Sequence, residues 1–303
     1  MSLNIVFMGT PEFAVPSLEN IIKSKHVIKA VYSQPPRKSN RGMKIKKSPI
    51  QLLAEKNQLM VRIPDSIEKD FEFLKNLNID LVIVVAYGQI ISKQLLKLSK
   101  YGFLNIHASI LPKWRGAAPI QRSIMAQDNT TGISIMKIEE KLDSGPILLV
   151  EKIKLESQAT SGKVEKYLSV IGGKKILEAI QFMEDKKANF IQQEHNKATY
   201  AKKIKKEDAE IDWKKNSKEI VAQINGLNPK PGAFFRYKGK KIKIWKAEHK
   251  KNIAEPGMVL DNDLTIACGK DSIKVSEIQR PGKKVQKVKE FLLGFSIPRN
   301  TRL

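Results

Sequence analysis

The run LVIVVA at residues 81–86 is apolar from end to end. A strand with one wet face alternates polar and apolar side chains, so a short unbroken run marks a strand covered on both faces. Such strands belong to parallel sheets flanked by helices, and the surrounding pattern agrees. Strand patterns at residues 4–8, 27–33, 80–86, 102–106 and 132–137 alternate with helical patterns at 12–23, 49–57, 67–77, 93–98 and 118–126. Ser48-Pro49 reads as an N-cap followed by proline at the first helical position. The alternation predicts an α/β fold with a doubly wound, mostly parallel sheet.

The pattern changes further along the chain. Residues 160–187 read as one long helix, with Leu168, Ile171, Ile176, Ile180 and Met183 on its apolar stripe. The polar stretch 189–208 reads as a linker. Beyond it lie a short helical pattern at 217–227 and compact strand patterns at 233–237, 240–247, 257–259, 264–267 and 272–277. Lys238-Gly239 suits a hairpin turn between the first two of these strands. A closing helix at 286–293 completes what reads as a small β-barrel. The expected division is a first domain at 1–188, the linker at 189–208 and a second domain at 209–303.

The formal net charge is +24, of which +13 falls on residues 201–303. Lysines spread over solvated faces would account for a basic chain, but their concentration in the last third points to a polyanionic partner such as a nucleic acid. Cys268 is the single cysteine, so no intrachain disulfide can form. It ends an apolar strand pattern and reads as a small buried hydrophobe. There is no apolar run of membrane-spanning length. The N-terminus enters a strand at once, leaving no room for a signal or transit peptide. A cytoplasmic location and no membrane partner are expected.

The turn after the first strand, Gly9-Thr10-Pro11-Glu12, lacks the further glycines of a dinucleotide fingerprint, so neither NAD nor a flavin is expected. His26, His195 and His249 have no partner at metal-ligand spacing, and no metal is expected. The chemistry concentrates in YGFLNIHASILPKWRGAAPIQ, residues 101–121. Asn105 and His107 end a short apolar strand, and Pro112, Gly116 and Pro119 make the following segment irregular. Polar side chains at the carboxyl end of such a strand lie where open α/β sheets place their active sites. Asp143, in Leu142-Asp143-Ser144-Gly145, supplies a matching acid. The trio suits attack of an amine on a formyl carbon. Asn105 and His107 can donate hydrogen bonds to the resulting oxyanion, and histidine as a side-chain type titrates near neutrality. Asp143 can orient His107, balance its charge or help remove the amine proton. Arg37, Lys38, Arg41, Lys44, Lys46 and Lys47 crowd the loop after the second strand, either as a solvated loop or as phosphate contacts on the same rim.

These segments resemble a known family. Gly9-Thr-Pro-Glu-Phe-Ala14, Asn105-Ile-His107-Ala-Ser-Ile-Leu-Pro112, Trp114-Arg-Gly-Ala-Ala-Pro-Ile-Gln121 and Leu142-Asp143-Ser-Gly145 are similar to motifs of the bacterial methionyl-tRNA formyltransferases, and the resemblance covers nearly the whole chain. It implies a Rossmann-like formyltransferase domain and an OB-fold-like C-terminal barrel that helps hold tRNA. It implies 10-formyltetrahydrofolate as co-substrate and methionyl initiator tRNA as acceptor, with Asn105, His107 and Asp143 catalytic. Folate would lie near Val85, Tyr87 and Gly88, near Ser109, Ile110, Leu111 and Pro112, and near Glu139. The basic loop around Arg41 would engage the acceptor arm, and the enzyme is expected to be a monomer. Two positions depart from the family pattern. Pro36 stands where an aspartate often follows Gln-Pro, and Lys230 stands where an aromatic is common between two prolines. Two other readings share these features: a sugar-nucleotide formyltransferase, and a noncatalytic RNA-binding module on the same fold.

Overall fold

In the computed structural model, which describes residues 2–39 and 44–303, the strands form a seven-stranded sheet, a five-stranded sheet and two two-stranded pairs. The chain forms two units. One comprises Met1–Gly116, Thr131–Ile153 and Glu165–Tyr200; the other comprises Ala117–Thr130, Lys154–Val164 and Ala201–Leu303.

The strands of the first unit are β1 (Asn4–Gly9), β2 (Val27–Tyr32), β3 (Arg37–Ser39), β4 (Lys44–Lys46), β5 (Val61–Arg62), β6 (Leu81–Val85), β7 (Phe103–His107), β8 (Arg115–Gly116), β9 (Thr130–Lys137) and β10 (Ile147–Lys154). Seven form one sheet in the order β10-β9-β7-β6-β1-β2-β5. The pairs β1/β2, β1/β6, β2/β5 and β6/β7 are parallel, and β7/β9 is antiparallel. Strand order therefore reverses between β1 and β6, which is the switch point where doubly wound sheets open a crevice at their carboxyl ends. β6 is buried along its whole length, as its unbroken apolar run requires.

Helices α1 (Val15–Ile22), α2 (Pro49–Lys56), α3 (Phe71–Lys75) and α4 (Lys93–Leu96) connect these strands. α2 begins as its sequence predicts, with Pro49 at its start and the Ser48 hydroxyl accepting from the Gln51 N–H at 2.9 Å. The first unit's core on one sheet face gathers Val6, Met8, Tyr32, Val82, Leu95 and Phe103. Strand alternation puts Asn105 and His107 on the same face as Phe103. Ile106 points the other way, against Gly172.

Three features differ from the sequence expectation. β5 and β10 carry no recognisable strand pattern, and the basic stretch after β2 contains the β3–β4 hairpin, with Arg37 paired to Lys46. Residues 40–43, including Arg41, lie outside the described residues. Part of the expected linker is built into the first unit. Ile191 pairs with Ile147, and the Arg115 N–H donates to the Thr199 carbonyl at 2.8 Å.

The second unit contains α5 (Pro119–Met125), and α6 (Ser161–Glu184) begins within it. Further along come β11 (Tyr200–Ala201), α7 (Ser217–Gly226), β12 (Phe234–Tyr237), β13 (Lys240–Lys250), β14 (Thr265–Ala267), β15 (Ser272–Gln279), β16 (Gln286–Lys287) and α8 (Val288–Gly294). The expected barrel strands form a five-stranded antiparallel sheet, in the order β12-β13-β15-β14 with β16 on β15. Register shifts between Ile244 and Ala247 mark irregularities of the kind that bend a strand. Trp213, Phe235, Ile242, Ile266 and Phe291 sit in the unit's core, and Cys268 is buried with them. Lys238 and Gly239 make the expected hairpin turn, both with positive φ. Residues 257–259 form only isolated bridges, from Met258 to Arg302 and Val259 to Ile266, rather than a strand.

Candidate active site

His107 is the last residue of β7 and is almost fully buried. Its Nδ1 lies 3.0 Å from the Ser109 hydroxyl. That hydroxyl donates its one proton to the Lys113 carbonyl at 2.6 Å, so it accepts from His107 and the Nδ1 position carries hydrogen. Nε2 is thereby left to face the site. It lies 3.2 Å from Asp143 Oδ2, within ion-pair range. The alignment is poor for a hydrogen bond, and among the described residues Nε2 is a buried nitrogen without a well-directed partner. Such an atom is costly unless a ligand uses it.

Asp143 reaches His107 from the loop between β9 and β10. Its backbone adopts φ +46°, the left-handed region that a residue with a side chain rarely occupies. Its Oδ2 also accepts from the Gly116 N–H at 2.7 Å. Burial alone pushes the Asp143 carboxyl up. The imidazole of His107, the Gly116 N–H and the charge of Arg115 outweigh that effect and hold it below the usual carboxylate range. Asn105 is half-buried two residues before His107 on the same strand face.

The other expected contact residues fall into distinct places. Val85 and Tyr87 point into the core, so they offer a ligand only their backbone; the Tyr87 carbonyl accepts from the Thr10 hydroxyl at 2.9 Å. Gly88 is exposed with φ +86°. Ser109 serves His107 directly, a role the sequence did not reveal. The Ser134 hydroxyl donates to the Ser109 carbonyl and accepts from the Leu111 N–H, which ties this segment to β9. Ile110 lies against Gly132, and Pro112 follows a cis peptide bond. Glu139 is exposed and lines a cleft of about 550 Å³ with Lys93, Lys97 and His195. Ile90 and Leu142 are exposed apolar side chains, at 92% and 64%, in the loops that follow β6 and β9. Lys46 and Lys47 are exposed, and Lys47 pairs with Glu55 at 2.8 Å. The side chains of Arg37, Lys38 and Lys44 are not described.

A formyl transferase family model matches residues 3–180, and a formyl transferase C-terminal domain model matches residues 203–296. The chain is 51% identical to a methionyl-tRNA formyltransferase of Pelagibacter ubique, over all of this chain and 99% of that one. This chain belongs to the methionyl-tRNA formyltransferase family. A methionyl-tRNA formyltransferase of Coxiella burnetii is 42% identical over 96% of this chain and 95% of that one. Among solved structures, an N-formyltransferase from Helicobacter canadensis, in complex with folinic acid and dTDP-3-aminofucose, aligns with a TM-score of 0.68. It covers 92% of this chain and 99% of that one at 19% identity, a likeness of fold alone. Methionyl-tRNA formyltransferases move a formyl group, so the chain is an enzyme of group transfer. Among the described residues no helix is long and apolar enough to cross a membrane.

The electrostatics of Asp143 make a testable statement. A carboxyl whose folded pKa is depressed stabilises the fold above its unfolded pKa, and that contribution is lost as pH falls through the folded value. A carboxyl-carbon NMR titration of Asp143 is expected to show a midpoint below the ordinary aspartate value. A midpoint well above that value would contradict the depression.

Proposed function

We propose that this chain transfers the formyl group of 10-formyltetrahydrofolate to the α-amino group of methionyl initiator tRNA, giving N-formylmethionyl-tRNA for translation initiation in the cytoplasm. The observation that carries the reading is the buried His107 Nε2, unsatisfied beside the Asp143 carboxylate at the carboxyl edge of the sheet. The full-length similarity to methionyl-tRNA formyltransferases supports the choice of acceptor. Folate-bound relatives of the same fold support the choice of donor.

Asn105, His107 and Asp143 are the catalytic residues in this reading. The neutral amine forms a bond to the formyl carbon, and the bond from that carbon to the folate nitrogen breaks. Asn105 donates to the oxyanion through its amide, and His107 donates through a protonated Nε2. Asp143 holds that proton in place electrostatically. Asp143 and His107 together carry the proton lost by the amine, which ends on the departing folate nitrogen. The β3–β4 hairpin with Lys46 and Lys47, together with the basic second unit, holds the acceptor arm by phosphate contacts. The enzyme acts as a monomer.

The test is single-turnover transfer of labelled formyl to methionyl initiator tRNA at several salt concentrations. Transfer is expected, with tRNA affinity falling on a log–log plot by about 0.9 per neutralised duplex phosphate. Transfer to a sugar-nucleotide amine with no tRNA binding would overturn the reading, and so would tRNA binding without transfer.

A further inference from the structure

Gln193 lies in a polar stretch with no sequence signal, yet it is buried beside the catalytic acid. Its Oε1 accepts from Arg115 Nε at 3.1 Å and from Arg115 Nη2 at 2.7 Å. Arg115 is itself buried, and its Nη2 also reaches His195 Nδ1 at 2.9 Å. Guanidinium groups only donate, so the Gln193 amide can face Arg115 in one orientation only, with its oxygen inward. Its Nε2 must then point the other way. It does, donating to the Asp143 carbonyl at 3.0 Å and the Gly145 carbonyl at 2.7 Å.

These bonds close a ring around the acid. Arg115 and Gly116 are consecutive. The Gly116 N–H holds the Asp143 carboxylate, while the Arg115 side chain holds Gln193, which holds the Asp143 backbone. Asp143 sits at φ +46°, a conformation that costs on the order of 1–3 kcal/mol and persists only where its surroundings over-determine it. Gln193 fixes the two carbonyls that flank Ser144 and so fixes that turn.

We propose that Gln193 is a positioning residue for the catalytic Asp143: its amide, oriented by the buried Arg115, clamps the carbonyls of Asp143 and Gly145 and keeps the carboxylate on His107 Nε2. This inference rests on the assignment of Asp143 to the catalytic site. An amide is required because one group must accept from a cation and donate to two carbonyls. Glutamate can do the first and not the second.

Gln193→Glu therefore separates the two arms. It keeps a partner for the buried Arg115, so the fold is expected to be retained, with a smaller loss of melting temperature than in Gln193→Ala. It sets an acceptor against two carbonyls, so kcat is expected to fall by about 10²-fold, the order associated with an ångström of misplacement. KM for the tRNA should stay within about twofold, because the basic residues assigned to it lie on other elements. Gln193→Ala, which also strands Arg115, is expected to lose kcat and stability together. The deciding measurement is the double variant Gln193→Glu/Asp143→Asn. If Gln193 works through Asp143, the double variant is no slower than Asp143→Asn alone. Multiplying effects would overturn the proposal, as would a wild-type kcat for Gln193→Glu. A wild-type rate for Asp143→Asn would overturn the site assignment itself, and this proposal with it.

Discussion

His107→Ala is expected to slow single-turnover formyl transfer by about 10²–10⁴-fold while tRNA affinity stays at the wild-type level. The size follows from the number of functions that one ring performs. Nδ1 is committed to Ser109, whose hydroxyl is in turn committed to the Lys113 carbonyl. The ring therefore presents a single atom, Nε2, at a fixed angle, with Asp143 at 3.2 Å to hold a proton there. Alanine removes the oxyanion donor and the proton carrier together. It also leaves the Asp143 carboxylate buried with the Gly116 N–H as its hydrogen-bond donor. Binding of tRNA should be spared because the basic residues assigned to it are elsewhere in the chain. Rapid-quench transfer at saturating folate, with filter binding of the tRNA, measures both quantities. A loss below about tenfold would remove His107 from the chemistry, since a lone general acid–base group is worth at least about 10².

The largest structural effect is expected from Gly145→Ala. A methyl group at Gly145 would sit 2.0 Å from the Lys137 carbonyl oxygen. That oxygen belongs to backbone, and the adjacent Lys137 N–H is bonded to the Pro146 carbonyl at 2.9 Å, so neither side can yield without opening the β9–β10 connection. Destabilisation of about 3 kcal/mol or more is expected, at the severe end for a single added methyl. Catalysis should fall further than stability explains, because Asp143 sits two residues away on the displaced turn. Gly239→Ala is the control. Gly239 has φ +68° in an exposed hairpin turn, but no heavy atom lies within 4 Å of an added methyl. Its cost should be about 1–2 kcal/mol, the left-handed penalty alone. Urea denaturation of the two variants makes the comparison. Equal losses would mean that the close approach at Gly145 is not what fixes the turn.

The parallel strands were legible because they are buried on both faces and write their burial as unbroken apolar runs. β10 was not, because after the buried Leu148 its residues alternate between half-buried and exposed, and ILLVEKIK carries charges at Glu151, Lys152 and Lys154. β5 has two residues, too few for any period. Residues 257–259 misled for the opposite reason: Met258 and Val259 are apolar, yet they are held by single bridges to Arg302 and Ile266. Of the site, Asn105, His107 and Asp143 could be read from residue type and position at strand ends and loops. Ser109 was read only as a ligand contact, and its bond to His107 could not be seen from the sequence. Gln193 was invisible, because its role depends on a side chain 78 residues away and no local pattern reports such a partner.

The two units interleave along the chain. The segment that carries His107 and Arg115 runs directly into α5, where Gln121 and Met125 lie against Gly226 of α7, more than a hundred residues later. A gene that kept only the first two-thirds of the chain would thus encode α5 without the helix that covers it, and would display the apolar side of that helix to water. Changes in the last third of the chain therefore act on a helix that begins three residues after Gly116, where the first unit's opening segment ends.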